Sequence, residues 1–571
     1  VQNRQKEEQI LDGKKRIWLS AMLVVALVAA LGLLVVGCGG DDETTTTAAA
    51  GGETTTTMEE GGMDGDLAED QTLVWNINTE PPSLDPNLAS DTTSVAVINS
   101  IMEGLVHIDY DGNPFPGAAE SWETSEDGLT VTFTLRGTDM WTNGDTVTSE
   151  DFKNSWLRIL DPATAADYAY QLYFIEGAEA FNAGEGSAED VGVDASDPNK
   201  LVVTLVGPTP WFVPMMSHQA FFPIPKATVD EFGDKWTEPE NIVTNGAYIL
   251  DTWNHDSDIL LTKNPDWRQA DEVVLENVKM VMINEATTGV AAFENGEIDV
   301  QMDLPVADMA RLKELPQYNL FPTLGIYYYG FNTTHAPLDD VLVRKALSIA
   351  IDRQEIIDNI TQADQLPASG FVPEGMPGYD TFKQDYIQPT ADVEGAKALL
   401  AEAGYADGAG LPEIVIYHNT SEGHAAIATA IQSQWKAIGV NATIKNMEWA
   451  QYLDFVQNND EVMVYRMGWL ADFADAFNFY DVLRGGGGNN YTRWANADYD
   501  QGLADAVQTT TDQERWDIYA NMEKIISVDE MPVAPIYYYT NPELVADYVQ
   551  GYMPNPLGDL VNTWEIKILA Q

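Results

Sequence analysis

Short β-type runs recur along the chain at 73–77, 130–135, 201–205, 259–262, 278–283 and 536–539, with clear alternation of apolar and polar positions at 130–135. Helical patterns sit among them. Between Asp340 and Asp352 the apolar positions Leu342, Ala346, Ile349 and Ala350 fall at helical spacing, with Pro337 just upstream as a permitted helix-start residue. A second helix is predicted over 392–403, stopped by Gly404 as a C′ glycine. The clearest unit spans 413–446. There a strand containing Ile414 and Ile416 leads to a helix with Ile427, Ile431, Trp435 and Ile438 on one face. Gly439 stops that helix, and a second strand comes next with Val440, Ala442 and Ile444. This is a βαβ unit, and it predicts a parallel strand pair with a right-handed crossover, the building block of open α/β sheets that bind ligands beyond their strand ends. No repeat of solenoid or propeller period interrupts the mixed α/β pattern.

The first seventy residues read differently. Lys14, Lys15 and Arg16 precede an apolar run over 17–36, broken only by small residues and Ser20, which ends in Val35-Val36-Gly37-Cys38. This resembles the signal peptide of bacterial lipoproteins, cut before a Cys whose thiol and amine are then acylated. An uncleaved membrane helix is the alternative, since a run of this length also spans a bilayer. The sequence beyond Cys38 speaks for cleavage. Gly39-Gly40-Asp41-Asp42-Glu43, two Thr tracts at 44–47 and 54–57, and Gly/Glu/Asp-rich sequence to about Asp70 cannot bury apolar area, and behave as a flexible leash over 38–70. The stretch before Lys14 is expected to reflect an alternative start codon or an overlong gene model.

Composition narrows the function. At 571 residues the chain exceeds the size of one hydrophobic core, so two or three substructures are expected. With 29 Lys+Arg against 90 Asp+Glu the net charge is −61, which excludes nucleic acid and anionic lipid surfaces as partners and describes a solvated, self-repelling exterior. Cys38 is the sole cysteine, so neither an intramolecular disulfide nor a Cys-based metal site is available. Only six His are present, with no HExxH, GxSxG or P-loop; no enzyme and no cofactor are expected. Asp109-Tyr110-Asp111-Gly112-Asn113 has some character of a calcium loop but lacks the later bidentate Glu, and reads as a turn between strands.

The informative cluster is Tyr465-Arg466-Met467-Gly468-Trp469-Leu470-Ala471-Asp472-Phe473, with Glu448-Trp449 and Thr420-Ser421-Glu422-Gly423-His424 upstream. It resembles the oligopeptide-binding proteins of ATP-binding-cassette importers, whose members share a Gly-Trp-x-Ala-Asp-aromatic stretch. The likeness runs from Thr72 to Gln571 through Ser83-Leu84-Asp85-Pro86, Trp141-Thr142-Asn143-Gly144-Asp145, Asn245-Gly246-Ala247-Tyr248, Val343-Arg344-Lys345-Ala346-Leu347 and Tyr537-Tyr538-Tyr539, among others. The resemblance implies that Asp472 pairs with a peptide's α-ammonium and that Arg466 and His424 receive peptide carboxylates. It also implies that Gly468, Trp469, Leu470, Trp449, Tyr168 and Tyr539 contact the peptide backbone or form pockets; core packing is the alternative for the aromatic residues. Arg466 and Asp472 are six residues apart, so an extended strand separates them by at most roughly 20 Å, the span of a peptide of about three to six residues. Two positions depart from the family pattern: Ala476 stands after Asp475 where the family usually has Pro, and Val456 stands where a basic residue is common. A shifted preference for peptide length is therefore expected.

The resemblance further implies a two-lobed periplasmic-binding-protein-like clamp of the large three-domain form (type II). Its expected parts are a signal peptide over 1–37, the linker over 38–70, a discontinuous domain I over 71–103, 233–332 and 540–571, domain II over 104–232, and domain III over 333–539. The expected protein is a monomer, lipid-anchored at the outer face of the cytoplasmic membrane, that captures short peptides for an importer's permease subunits. The alternatives are the same fold holding nickel, an opine or an oligosaccharide, or a lipid-anchored peptide chaperone or receptor.

Overall fold

The computed structural model describes residues 66–571, apart from 111, 384 and 558–560. The expected leader, Cys38 and most of the leash lie outside the described residues. Leu67 and Ala68 already pair with Leu569 and Ile568, so the end of the expected linker is tied to the chain's last strand.

Each predicted run is a strand: Thr72–Asn76, Thr130–Leu135, Lys200–Thr204, Asp258–Lys263 and Asn277–Val281, with the last forming part of the longer Val533–Val545. The helix expected over 340–352 is shorter. It runs Val341–Ile349 and begins at Asp340, whose carboxylate accepts the Leu342 N–H at 2.9 Å. Pro337 lies in the preceding turn. Asp352 then caps a separate short helix, Arg353–Ile356, by accepting the Glu355 N–H at 2.8 Å. A second capping carboxylate therefore restarts the helix where apolar spacing alone predicts continuity.

The βαβ unit forms as expected. Strands Ile414–Asn419 and Ala442–Met447 pair in parallel over their whole length, joined by the helix Glu422–Ala437. Ile427, Ile431 and Trp435 are buried, and the Trp435 indole donates to the Leu347 carbonyl at 2.9 Å, fixing this helix against Val341–Ile349. Gly404 and Gly439 both take left-handed φ, +91° and +88°, as residues just past a helix end do.

Two long strands organise the rest. Tyr318–Phe331 and Val533–Val545 run antiparallel, with register breaks between Pro322 and Ile326 and between Tyr327 and Tyr328. At one end they join Val300–Gln301, Thr72–Asn76, Asn277–Val281, Asp258–Lys263 and Tyr248–Asn254; at the other they join Val464–Leu470, Ile414–Asn419 and Ala442–Met447. With Leu366–Pro367, which pairs with Val533–Val545 off this path, the described residues form one mixed eleven-stranded sheet, with the two long strands passing between its wings. A separate antiparallel sheet of four strands lies within residues 119–204.

The centre of the large sheet is covered on both faces. Ile326 and Tyr328 point into one core, Tyr327, Tyr329 and Phe331 into another, and all five are at most 1% exposed. Strands buried on both faces are continuously apolar rather than alternating, which is why periodicity does not announce them. The 109–113 segment is a turn between Val106–Ile108 and Pro114–Pro116, closed by Asp109 accepting the Asn113 N–H at 2.8 Å. Among the described residues no helix is long and apolar enough to cross a membrane, and no cluster of three His, Cys, Asp or Glu is arranged to hold a metal.

Candidate functional site

The segment singled out in the sequence is the strand Val464–Leu470 and the turn after it. On one side it pairs with Tyr318–Phe331 over seven residues, from Val464 opposite Phe331 to Leu470 opposite Gly325. On its other side, among the described residues, it is paired only at Val464 and Tyr465, opposite Ile416 and Tyr417. The two strands then fork. The Tyr452 hydroxyl fills the fork, donating to the Arg466 carbonyl at 2.6 Å and lying 3.2 Å from that of Tyr417. The Ala471 N–H is turned the other way, to Leu324 O at 2.8 Å. Because peptide groups alternate sides along a strand, those of Gly468 and Leu470 face the same way as the Arg466 carbonyl, toward the unpaired edge. A Cβ on Gly468 would stand 2.4 Å from the Tyr539 hydroxyl, so glycine leaves that side chain its place.

Arg466 marks one end of this edge. Its guanidinium lies 4.6 Å over the Tyr327 ring, and Nη2 donates to the Tyr539 hydroxyl at 2.8 Å. Asn419 Oδ1 is 3.4 Å from Nη1, while Nε is buried with no partner. No carboxylate among the described residues pairs with it. A desolvated cation without a counter-ion is a seat for an anion. His424 lies close by, the third residue of the helix Glu422–Ala437, with Nδ1 3.2 Å from the Tyr327 hydroxyl. Burial, and then the nearby Arg466 and His418, push its imidazole down to about 2, so it is neutral and can offer an N–H but no charge.

Asp472 marks the other end. Its Oδ2 is held by two side-chain amides, Gln171 at 2.6 Å and Asn478 at 3.0 Å. Its Oδ1 has only long contacts, Tyr168 Oη at 3.5 Å and His218 Nε2 at 3.6 Å. The carboxylate is thus positioned through one oxygen and available through the other. The side chains of both Asp472 and His218 are mostly buried, at 9% and 12% exposure. Burial, followed by the Asp472 charge, pushes the Tyr168 hydroxyl well above its ordinary value, so it remains a donor.

The aromatic positions divide. Trp449, the first residue of the helix Trp449–Asn458, is 47% exposed with its ring stacked 6.2 Å from Tyr452, and so is no core residue. Trp469, Tyr168 and Tyr539 are half-buried, each with its polar tip engaged in the site: the Trp469 indole donates to Asn478 Oδ1 at 2.8 Å. The two departures are both interior. Val456 and Ala476 are fully buried, and next to Ala476 the Asp475 carboxylate binds Arg515 Nε at 3.0 Å, the Tyr519 hydroxyl at 2.5 Å and the Phe477 N–H at 2.9 Å.

Comparison with known proteins matches residues 113–491 to the family model described as bacterial extracellular solute-binding proteins, family 5 Middle. The chain belongs to this family. The oligopeptide-binding protein OppA of Bacillus subtilis is 39% identical over 515 residues, covering 87% of this chain and 94% of the relative. The crystal structure of Haemophilus influenzae OppA in complex with RPPGFSPFR superposes with a TM-score of 0.81 at 34% identity, covering 88% of this chain and all of the other. The murein tripeptide binding protein MppA of Escherichia coli superposes at 0.80 with 34% identity, covering 88% of this chain and 100% of the other. Its unliganded open form reaches only 0.69 with 35% identity, covering 89% and 99%. This solute-binding protein therefore has the α/β clamp fold of the periplasmic peptide-binding proteins, in an arrangement nearer to the complexed structure than to the open one.

Contacts between distant parts of the chain bring in residues that no local pattern marks. Gln171 and His218 meet Asp472 across 301 and 254 positions of the chain. Gln171 lies on the same short turn as Tyr168, one residue from the end of Ala169–Leu172, which was the only local signal available. Asn478 is hidden in an aromatic run, and Tyr327 in an apolar strand. The site has the chemistry of reversible capture: two opposite charges, a strand edge and aromatic walls.

Proposed function

We propose that this solute-binding protein holds short peptides in extended form along the free edge of Val464–Leu470 and delivers them to the permease of an ATP-binding-cassette importer. The observation that carries the reading is the pairing of an available carboxylate oxygen on Asp472 with an uncompensated guanidinium on Arg466. A zwitterionic peptide satisfies both. Gly468 and Leu470 offer backbone hydrogen bonds between them that do not depend on the peptide's sequence, a mode known as β-augmentation. Half-exposed Trp449 and the partly buried Tyr168, Trp469 and Tyr539 suit walls that accept varied side chains. His424, being neutral, serves longer peptides as a donor at a helix N-terminus. The names of the relatives, which are oligopeptide- and tripeptide-binding proteins, support the same ligand class.

In this reading residues 104–232 supply Tyr168, Gln171 and His218, residues 333–539 supply the rest of the site except Tyr327, which comes from 233–332, and the clamp closes on the ligand between them. A monomeric body is tethered through lipidated Cys38 and its leash at the outer face of the cytoplasmic membrane, free to open and close beside the permease. The protein performs no covalent chemistry.

Calorimetric titration tests the site. A free tripeptide is expected to bind, and its N-acetylated form to bind far more weakly. Equal binding of both overturns the role of Asp472. Replacement of Cys38 by serine is expected to release the protein from membranes; continued attachment overturns the anchor.

A further inference from the structure

The two charges and the strand edge leave one group of contacts without a task. Trp211, just before the short helix Phe212–Met215, stacks on Phe477 at 5.1 Å and 24° and lies nearly parallel to Phe473 at 6.1 Å and 4°. Phe174 meets Phe477 edge-on at 5.5 Å. The Arg515 guanidinium sits 5.6 Å from the Trp211 ring, and its Nη1 is buried with no hydrogen-bond partner among the described residues. Trp211, Phe473 and Phe477 are at most 3% exposed. Close by in the chain, Gln508 Nε2 donates to the Val206 carbonyl at 3.2 Å, and a Cβ on Gly207 would stand 2.8 Å from the Val507 carbonyl oxygen. Every one of these contacts joins residues 104–232 to residues 333–539. The rings flank the ammonium seat without being part of it: Phe473 follows Asp472 in the chain, and Phe477 precedes Asn478, which holds Asp472 Oδ2 at 3.0 Å.

We propose that Trp211 is a positioning residue for peptide capture, a latch that adds the same increment of affinity to every peptide by holding the two lobes shut. The inference rests on the peptide reading and on the clamp that closes around the ligand. Contacts between the lobes exist only in the shut clamp, so their free energy favours the ligand-holding state over the open one. Stacked rings and a cation over a ring face suit this role because they touch each other and not the ligand's side chains. Docking of Trp211 on the 473–477 turn also carries Gln171 and His218 to Asp472. Closing the latch and completing the ammonium seat are therefore one motion.

Calorimetric titration of the whole protein with Ala-Ala-Ala and Leu-Leu-Leu, beside thermal unfolding without ligand, tests the latch. Trp211→Ala is expected to weaken both peptides about ten- to a hundred-fold, the contribution of two ring pairs. The two factors should agree within about two-fold, because the latch lies apart from the peptide's side chains. Trp211→Phe keeps a ring against both partners and should restore most of the affinity. The Tm of the ligand-free protein should hardly change in either variant, since the open clamp lacks the contact. Gly207→Ala, whose Cβ meets the Val507 carbonyl only in the shut clamp, should weaken both peptides alike and also spare the ligand-free Tm. Unchanged affinity in Trp211→Ala or Gly207→Ala overturns the latch. Unequal factors would make Trp211 a pocket wall, and a lowered ligand-free Tm would make it a core residue; each overturns the latch and leaves the peptide reading intact. If neither peptide binds the unaltered protein, the peptide reading falls and the latch with it.

Discussion

Two acids three residues apart in one turn, Asp472 and Asp475, are given opposite roles by what surrounds them, and replacing each with asparagine separates those roles. In Asp472→Asn the amide keeps the shape of the carboxylate and its neutral neighbours, and Oδ2 is held only by Gln171 and Asn478. Folding stability should hardly change. The lost interaction is one charge-assisted hydrogen bond to a ligand ammonium, about 1.5–3 kcal/mol, so tripeptide affinity should fall about 10- to 150-fold. Asp475 is different. Its carboxylate is 6% exposed and faces Arg515, which is 5% exposed. The carboxylate accepts from Arg515 Nε, the Tyr519 hydroxyl and the Phe477 N–H, and these contacts offset the desolvation of the pair. Removing one partner leaves the Arg515 cation buried with only Asp512, 2.8 Å from Nη2, to balance it. The expected loss is about 3 kcal/mol, the lower end for breaking a buried pair, and Tm should fall by several degrees. Replacing both partners, as Asp475→Asn with Arg515→Met, should cost less than Asp475→Asn alone, because no charge is left stranded. Thermal unfolding and calorimetric titration of the three variants check this. The reasoning is refuted if Asp472→Asn lowers Tm as much as Asp475→Asn does, or if the double variant is less stable than the single one.

Arg466→Gln is expected to weaken free tripeptides about 10- to 100-fold while leaving C-terminally amidated ones nearly unchanged, as read by titration of both forms. Gly468→Ala puts a Cβ 2.4 Å from the Tyr539 hydroxyl and should displace Tyr539 from Arg466; a loss of tripeptide affinity, partly restored by adding Tyr539→Phe, is the expected readout. Asp139 offers a pH test. Both of its oxygens are buried without hydrogen bonds, Arg136 is no nearer than 3.9 Å, and burial with the Glu103 charge pushes its carboxyl up from 3.8 to about 6. A carboxyl whose folded pKa is raised binds its proton more tightly in the folded state, so its contribution to stability is lost as pH rises from about 4 through about 6. Asp139→Asn should therefore be more stable at pH 7 by about 1–2 kcal/mol, the shift being discounted for partial exposure. The gain should vanish below pH 4; an equal gain at every pH would contradict this account.

Much of the protein could be read from its residues in order. Local patterns determined the βαβ unit at 414–447, the helix at 393–402 and the strand at 130–135, because each depends on neighbours within a turn or two. The Gly-Trp-Leu-Ala-Asp-Phe stretch identified the segment that carries the site. The tertiary structure decided the rest. Tyr318–Phe331 became the spine of the sheet because both of its faces are covered, which erases the alternation that marks a strand. Arg466 became an anion seat because the strands around it bring tyrosines and an asparagine but no carboxylate, a fact about neighbours brought in from three other strands. Asp472 has one oxygen held and one available because Gln171, His218 and Asn478 converge on it from distant or unmarked positions. Sequence order determines what each short segment prefers; which groups share a cleft depends on chain reversals hundreds of residues long, and no local preference encodes them.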